Sequence, residues 1–271
     1  MSLPPLFPPF AGAVFQEDFS TPEGRLAAYA LRLGDDALIL GQRLSEWIGH
    51  TPVLEEDIAI ANTALDLIGR ARLWLELAAD LAGAGRTADD LAFLRDGFAF
   101  RNLLLVELPN GDYGRTLLRA FLFDAFEVER LAALARSPEA RLAEIAAKAE
   151  RESRYHVERG ADLIIRLGDG TEESHARLET ALGELWPYVG EMFLSDPLEE
   201  GLAAAGIAPD PASLRPAWQR RVEAVLREAT LPVPEMGFTH RGGRRGVHTE
   251  HLGHLFAEMQ FLQRAYPGLQ W

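Results

Sequence analysis

Five times along this chain a side chain able to cap a helix stands immediately before a proline: Thr21-Pro22, Thr51-Pro52, Ser137-Pro138, Asp196-Pro197 and Asp210-Pro211. Proline loses nothing at the first helical position, because its missing N–H is one that no turn would satisfy, and the preceding oxygen accepts from a free first-turn N–H. With no stretch of alternating apolar and polar residues to set against them, these starts predict an all-α protein.

The first helix is expected from about Pro22 to Ile48, with Leu26, Ala30, Leu33, Ala37, Leu40, Leu44 and Trp47 at helical steps and Gly49 as its end. A second runs from Pro52 to about Ala82 and stops at Gly83-Ala84-Gly85, so a short connection joins two long antiparallel neighbours. After shorter pieces between Asp89 and Glu107, the turn Pro109-Asn110-Gly111-Asp112 leads into a helix from Tyr113 to Arg136. Ser137-Pro138 opens another that ends near Gly168-Asp169-Gly170. Two hairpins with a longer crossover between them give a ferritin-like four-helix bundle, followed by C-terminal helices near Glu172–Phe193, Leu198–Ala205, Pro211–Ala229 and Thr249–Ala265. Residues 1–21, rich in proline, read as an arm, and 22–271 as one ferritin-like helical domain.

The chain has no cysteine, which excludes a disulfide framework, iron–sulfur ligation and a thiol nucleophile, and fits a cytoplasmic compartment. No run of about 18 uncharged apolar residues exists to span a membrane. A formal charge of −14 works against a phosphate-backbone footprint, so nucleic acid is not an expected partner.

Di-iron carboxylate bundles place one carboxylate and one Glu-x-x-His pair on each hairpin, a spacing that projects the ligands inward from one face. The first hairpin here offers Asp36, with Asp35 beside it and either one able to face inward, and Asp66, but the residue three after Asp66 is Gly69. The second offers Asp124 and His156, but Ser153 stands where the glutamate belongs. The set reads as a degraded metal site, with no metal or other cofactor expected. Carboxylates left inside a bundle need protonation or a cation, and Lys148, Arg154 and protonated His156 are at hand. The alternative is that these acids lie on solvated faces and His156 is an ordinary hydrogen-bonded histidine.

Several strings resemble those of a known family, the C subunit of the phenylacetyl-CoA epoxidase: YALRLGDDALILGQRLSEWIGH at Tyr29–His50, ANTALDLIGRAR at Ala61–Arg72, FRNLLLVELPNGD at Phe100–Asp112, ERESRYHVERG at Glu150–Gly160 and GVHTEHLGHLFAEMQFLQR at Gly246–Arg264. The resemblance implies a ferritin-like, structural subunit that pairs with a catalytic A subunit, the one that holds the di-iron centre and epoxidises the ring of phenylacetyl-CoA. It also implies that intact Glu-x-x-His pairs stand in that catalytic relative where Asp66–Gly69 and Ser153–His156 stand here. The competing reading is an independent di-iron oxidase or iron-handling protein that recruits Glu152 to complete the set.

Arg241, Arg244 and Arg245 lie among glycines in an otherwise acidic chain and suit a coenzyme A phosphate or an acidic partner surface, their alternative being neutralisation of nearby acidic helices. Contacts between two copies of the chain and a contribution to an acyl-CoA entrance stay open. His248, His251 and His254 cluster without a Glu-x-x-His pattern and are expected in hydrogen-bonded rather than metal-binding roles. Trp47, Trp74, Trp186, Trp218 and Trp271 are expected to anchor cores or interfaces, and Leu269-Gln270-Trp271 to dock on another chain.

Overall fold

In the computed structural model, residues 18–83 and 85–267 are described. The arm expected over 1–21 lies outside them except for Asp18–Thr21, as does Leu269-Gln270-Trp271. The described residues form helices and loops without a strand.

Helix α1 (Pro22–Ser45) is capped by Thr21, whose hydroxyl accepts from Gly24 N–H at 3.0 Å. It joins α2 (Leu54–Ala82), which ends at Gly83 with φ +68°, a conformation that suits glycine. The crossover carries α3 (Ala88–Phe93), a 3-10 turn at Gly97–Ala99 and α4 (Leu104–Glu107). The second hairpin is α5 (Tyr113–Leu134), capped by Asp112, and α6 (Ala140–Gly168). Beyond it come α7 (Glu172–Val189), a 3-10 turn at Gly190–Phe193, α8 (Pro197–Ala204) and α9 (Pro211–Glu228). A long loop with one 3-10 turn, Gly243–Arg245, leads to α10 (Glu250–Met259) and α11 (Phe261–Ala265).

Three of the five cap–proline pairs start helices as read: Thr21, Asp196 and Asp210 each accept first-turn N–H bonds. Two do not. Thr51 gives its hydroxyl to Asp57 at 2.9 Å, and α2 begins later behind Val53, without a side-chain cap. Ser137 accepts from Glu139 N–H at 3.3 Å, which delays α6 to Ala140. The last expected helix is broken at Gln260, whose amide is drawn to the carbonyls of Ala92 and Arg95, both at 3.1 Å.

Helices α1 and α2 pack along one another, as do α5 and α6, and α2 meets α6 to close the bundle. The outer helices are unevenly shared: α7 and α9 cover α5, while α4, α8 and α10 touch α1. As a result α1 is buried on every side from Leu26 to Leu44 except at Gln42, rather than along a single stripe. A helix enclosed in this way should be apolar all round. This one carries Arg32, Asp35, Asp36 and Arg43 into the interior. Two of the tryptophans anchor the packing: Trp218 donates to Leu122 O at 2.9 Å beneath Phe193, and Trp186 to Glu235 O at 3.1 Å.

Candidate functional site

Both aspartates of α1 are fully buried, with different partners. Asp35 receives the fork of Arg95, Nη2 to Oδ1 and Nη1 to Oδ2 at 3.0 Å, with the backbone N–H of Arg101 at 2.8 Å. Arg95 in turn lies 4.0 Å over the ring of Phe100. Asp36 faces the bundle centre, where Arg244 donates through Nη2 to Oδ2 at 2.8 Å and through Nη1 to Oδ1 at 3.0 Å. Arg130 adds a bond at 3.2 Å and Leu103 N–H one at 2.8 Å. Two guanidiniums and a backbone donor replace the hydration that burial takes from this carboxylate.

From Asp36 a ladder of alternating charge crosses the bundle. Arg130 also pairs with Glu127 on its own helix. Glu127 lies 3.7 Å from Arg70 of α2, and Arg70 lies 3.8 Å from Glu152 of α6 and bonds Ala149 O at 3.3 Å. Burial pushes the Glu127 carboxyl up, while Arg130 and Arg70 oppose that shift. Burial also works against the charge on Arg130, and Glu127 and Asp36 more than restore it. Each helix of the four thus contributes at least one charge, and each charge has an opposite neighbour.

Asp66, Asp124, Ser153 and His156 form a second, less satisfied cluster. His156 Nε2 is 3.1 Å from Asp66 Oδ2, a hydrogen bond that holds the half-exposed Asp66 carboxyl below its usual range. His156 Nδ1 is 3.9 Å from Asp124 Oδ1, close enough for ionic attraction and too far for a hydrogen bond. Both atoms, and the hydroxyl of fully buried Ser153, have no hydrogen-bond partner among the described residues. Burial pushes Asp124 up to about 6, with His156 and Arg70 acting against it. Asp124 and His156 border a cavity of about 20 Å³, the size of one water molecule.

The donor set does not fit a di-iron centre. Gly69 is exposed and has no side chain to offer, Ser153 contributes a neutral hydroxyl, and both oxygens of Asp36 are committed to arginines. Glu152, the substitute ligand of the oxidase reading, faces Arg70 and Lys148. Among the described residues, no group of three or more His, Cys, Asp or Glu side chains is placed to hold a metal ion. The buried acids Asp36 and Asp124 are not on solvated faces.

Charge compensation comes from residues that periodicity did not single out. Lys148 and Arg154, expected to neutralise the interior, are each 60% exposed along the side chain and pair with Glu152 and Glu150 on their own helix. Their long side chains reach water at low cost, whereas Arg70, Arg95, Arg130 and Arg244 are enclosed. The signal available in sequence was arginine inside otherwise apolar helical runs, as at Arg70 and Arg130.

The arginine loop divides in two. Arg244 turns inward to Asp36, so it is not a surface phosphate contact, while Arg241 and Arg245 on either side are exposed. Glu191 fixes the loop by accepting from Gly242 N–H at 2.7 Å and Gly243 N–H at 2.9 Å. His248 lies 2.7 Å from Glu107, which also takes Thr249 N–H at 2.6 Å. His254 is exposed, and His251 enters the network through its carbonyl, bonded by Arg43 at 2.9 Å.

The fold and this interior together define an all-helical, ferritin-like protein whose bundle encloses arginine–carboxylate ion pairs. The sequence profile of a family described as phenylacetic acid catabolic protein matches residues 17–271, and the chain belongs to that family. It is similar to the C subunit of the 1,2-phenylacetyl-CoA epoxidase of Escherichia coli (strain K12), at 49% identity over 247 residues, 91% of this chain and 99% of that relative. No helix among the described residues is long and apolar enough to cross a membrane.

Proposed function

We propose that this chain is a non-catalytic, structural subunit of a cytoplasmic multicomponent 1,2-phenylacetyl-CoA epoxidase, pairing with and supporting the subunit that holds the di-iron centre. The observation that carries this reading is the double guanidinium on Asp36, with the neutral hydroxyl of buried Ser153 where a glutamate ligand was expected. A guanidinium supplies the positive charge that buried carboxylates require, yet it has no open coordination position and no electron to give.

Pairing is supported by the outer face of α2. Leu54, Ile58 and Leu65 follow one another down a single stripe and are 70%, 54% and 66% exposed. Gly69 continues the stripe, and a Cβ placed there meets nothing within 4 Å. A glycine inside a helix costs about 1 kcal/mol relative to alanine, and no described residue requires it here. Close approach of a partner helix accounts for both features.

The test is reconstitution with the di-iron subunit. The two chains are expected to co-elute and ring epoxidation to require both, with His156→Ala leaving the reconstituted activity intact. Full activity of the di-iron subunit without this chain would overturn the proposal.

A further inference from the structure

Beside the arginine loop lies a cavity of about 260 Å³ that the ion-pair ladder does not use. Its rim carries Arg241 and Arg245, and its wall includes Leu194 and Glu199. The two rim guanidiniums have no ion pair or hydrogen bond among the described residues. The loop that carries them is anchored between them, Gly242 and Gly243 by Glu191 and Arg244 by Asp36. Two uncommitted arginines on one anchored loop suit an oxyanion with several acceptor oxygens.

Glu199 supplies the second, independent observation. It is 5% exposed, and its Oε2 has no hydrogen-bond partner among the described residues. The nearest cation, Arg32 Nη1, stands 3.8 Å away and is itself without an acceptor. A buried carboxylate left short of donors is costly, and a donor brought to Glu199 by a ligand in the cavity it lines would relieve it. The other two acids of the cavity are already compensated: Glu191 by three backbone N–H groups, Asp196 by Arg32 at 2.6 Å and by the N–H groups of the helix it caps.

We infer that this cavity binds a small phosphate ester that also carries a hydroxyl or amino group, its phosphate on Arg241 and Arg245 and its donor on Glu199. The inference does not depend on the scaffold reading, since it uses neither the α2 face nor the degenerate site.

Calorimetric titration of the full chain with sn-glycerol 3-phosphate, inorganic phosphate and glycerol tests it. The ester is expected to bind at least tenfold more tightly than phosphate, and glycerol not measurably. R241E/R245E, which changes only exposed and unpaired side chains, should abolish binding of both anions with the melting temperature unchanged. Glu199→Gln should bring the ester down to the affinity of phosphate. Equal binding of ester and phosphate by the native chain would overturn the role of Glu199, and binding that survives R241E/R245E, or none at millimolar probe, would overturn the site.

Discussion

Arg244 and Asp36, 208 positions apart in the chain, meet inside the bundle as a two-pronged pair at 2.8 and 3.0 Å. The cation comes from a C-terminal loop, threaded between α1 and the crossover, where it also bonds Arg101 O at 2.6 Å. Removing one partner of a buried pair costs more than removing both, because the survivor is left desolvated and short of donors, here Asp36 with Arg130 and Leu103 N–H alone. Arg244→Met should therefore destabilise the chain by roughly 3–5 kcal/mol in urea denaturation. Combining it with Asp36→Leu should recover most of that loss. A double variant no more stable than the single would show that the pair is not what holds the loop.

Arg70 and Lys148 separate the buried ladder from its solvated edge. Arg70→Met should cost about 3 kcal/mol or more, since it strips the neighbour of Glu127. Lys148→Ala and Arg154→Ala remove exposed pairs and should each cost less than about 1 kcal/mol. Similar losses at all three positions would contradict this division.

Asp124 makes stability depend on pH in a definite direction. Its folded pKa is raised to about 6 by burial, above the unfolded value, so the stabilisation it contributes is complete below about pH 4 and is lost as pH rises through 6. The effect is of order 2–3 kcal/mol. His248 contributes a slope of the same sign near its own raised pKa, so the comparison must be with Asp124→Asn rather than with zero slope. In that variant the fall in stability between about pH 4 and 7 should be clearly shallower. An unchanged curve would mean that Asp124 is ionised throughout.

Gly69 should show opposite effects on stability and association. Gly69→Leu fills open space on an exposed helical face and should raise stability by up to about 1 kcal/mol. The same change should weaken binding of the di-iron partner at least tenfold, as measured by titration. If association is untouched, the partner does not approach this stripe.

The fold was legible from the sequence because helix starts and stops are written in local chemistry: caps, prolines and terminal glycines that act within one turn. Where reading by dipeptide failed, at Thr51 and Ser137, a competing local bond had captured the capping oxygen or its place. That Asp66, Asp124 and His156 lie near one another follows from the repeated register of a four-helix bundle, while Asp36 belongs to a separate cluster. The partners of Asp35 and Asp36 were not legible, since Arg244 reaches Asp36 from a loop and Arg95 reaches Asp35 from the crossover, both contacts that no helical period encodes. Burial of α1 on all sides was equally hidden, because it depends on α4, α8 and α10 arriving from distant parts of the chain.

That the interior holds arginines in place of a metal is tested most directly by iron content. The purified chain, alone and co-expressed with the di-iron subunit, would be incubated with ferrous iron, separated and assayed for bound metal. Iron is expected on the partner, with none retained by this chain in either preparation. About two irons per chain here would refute the arginine-filled interior, and would require the Asp36–Arg244 pair to open in solution.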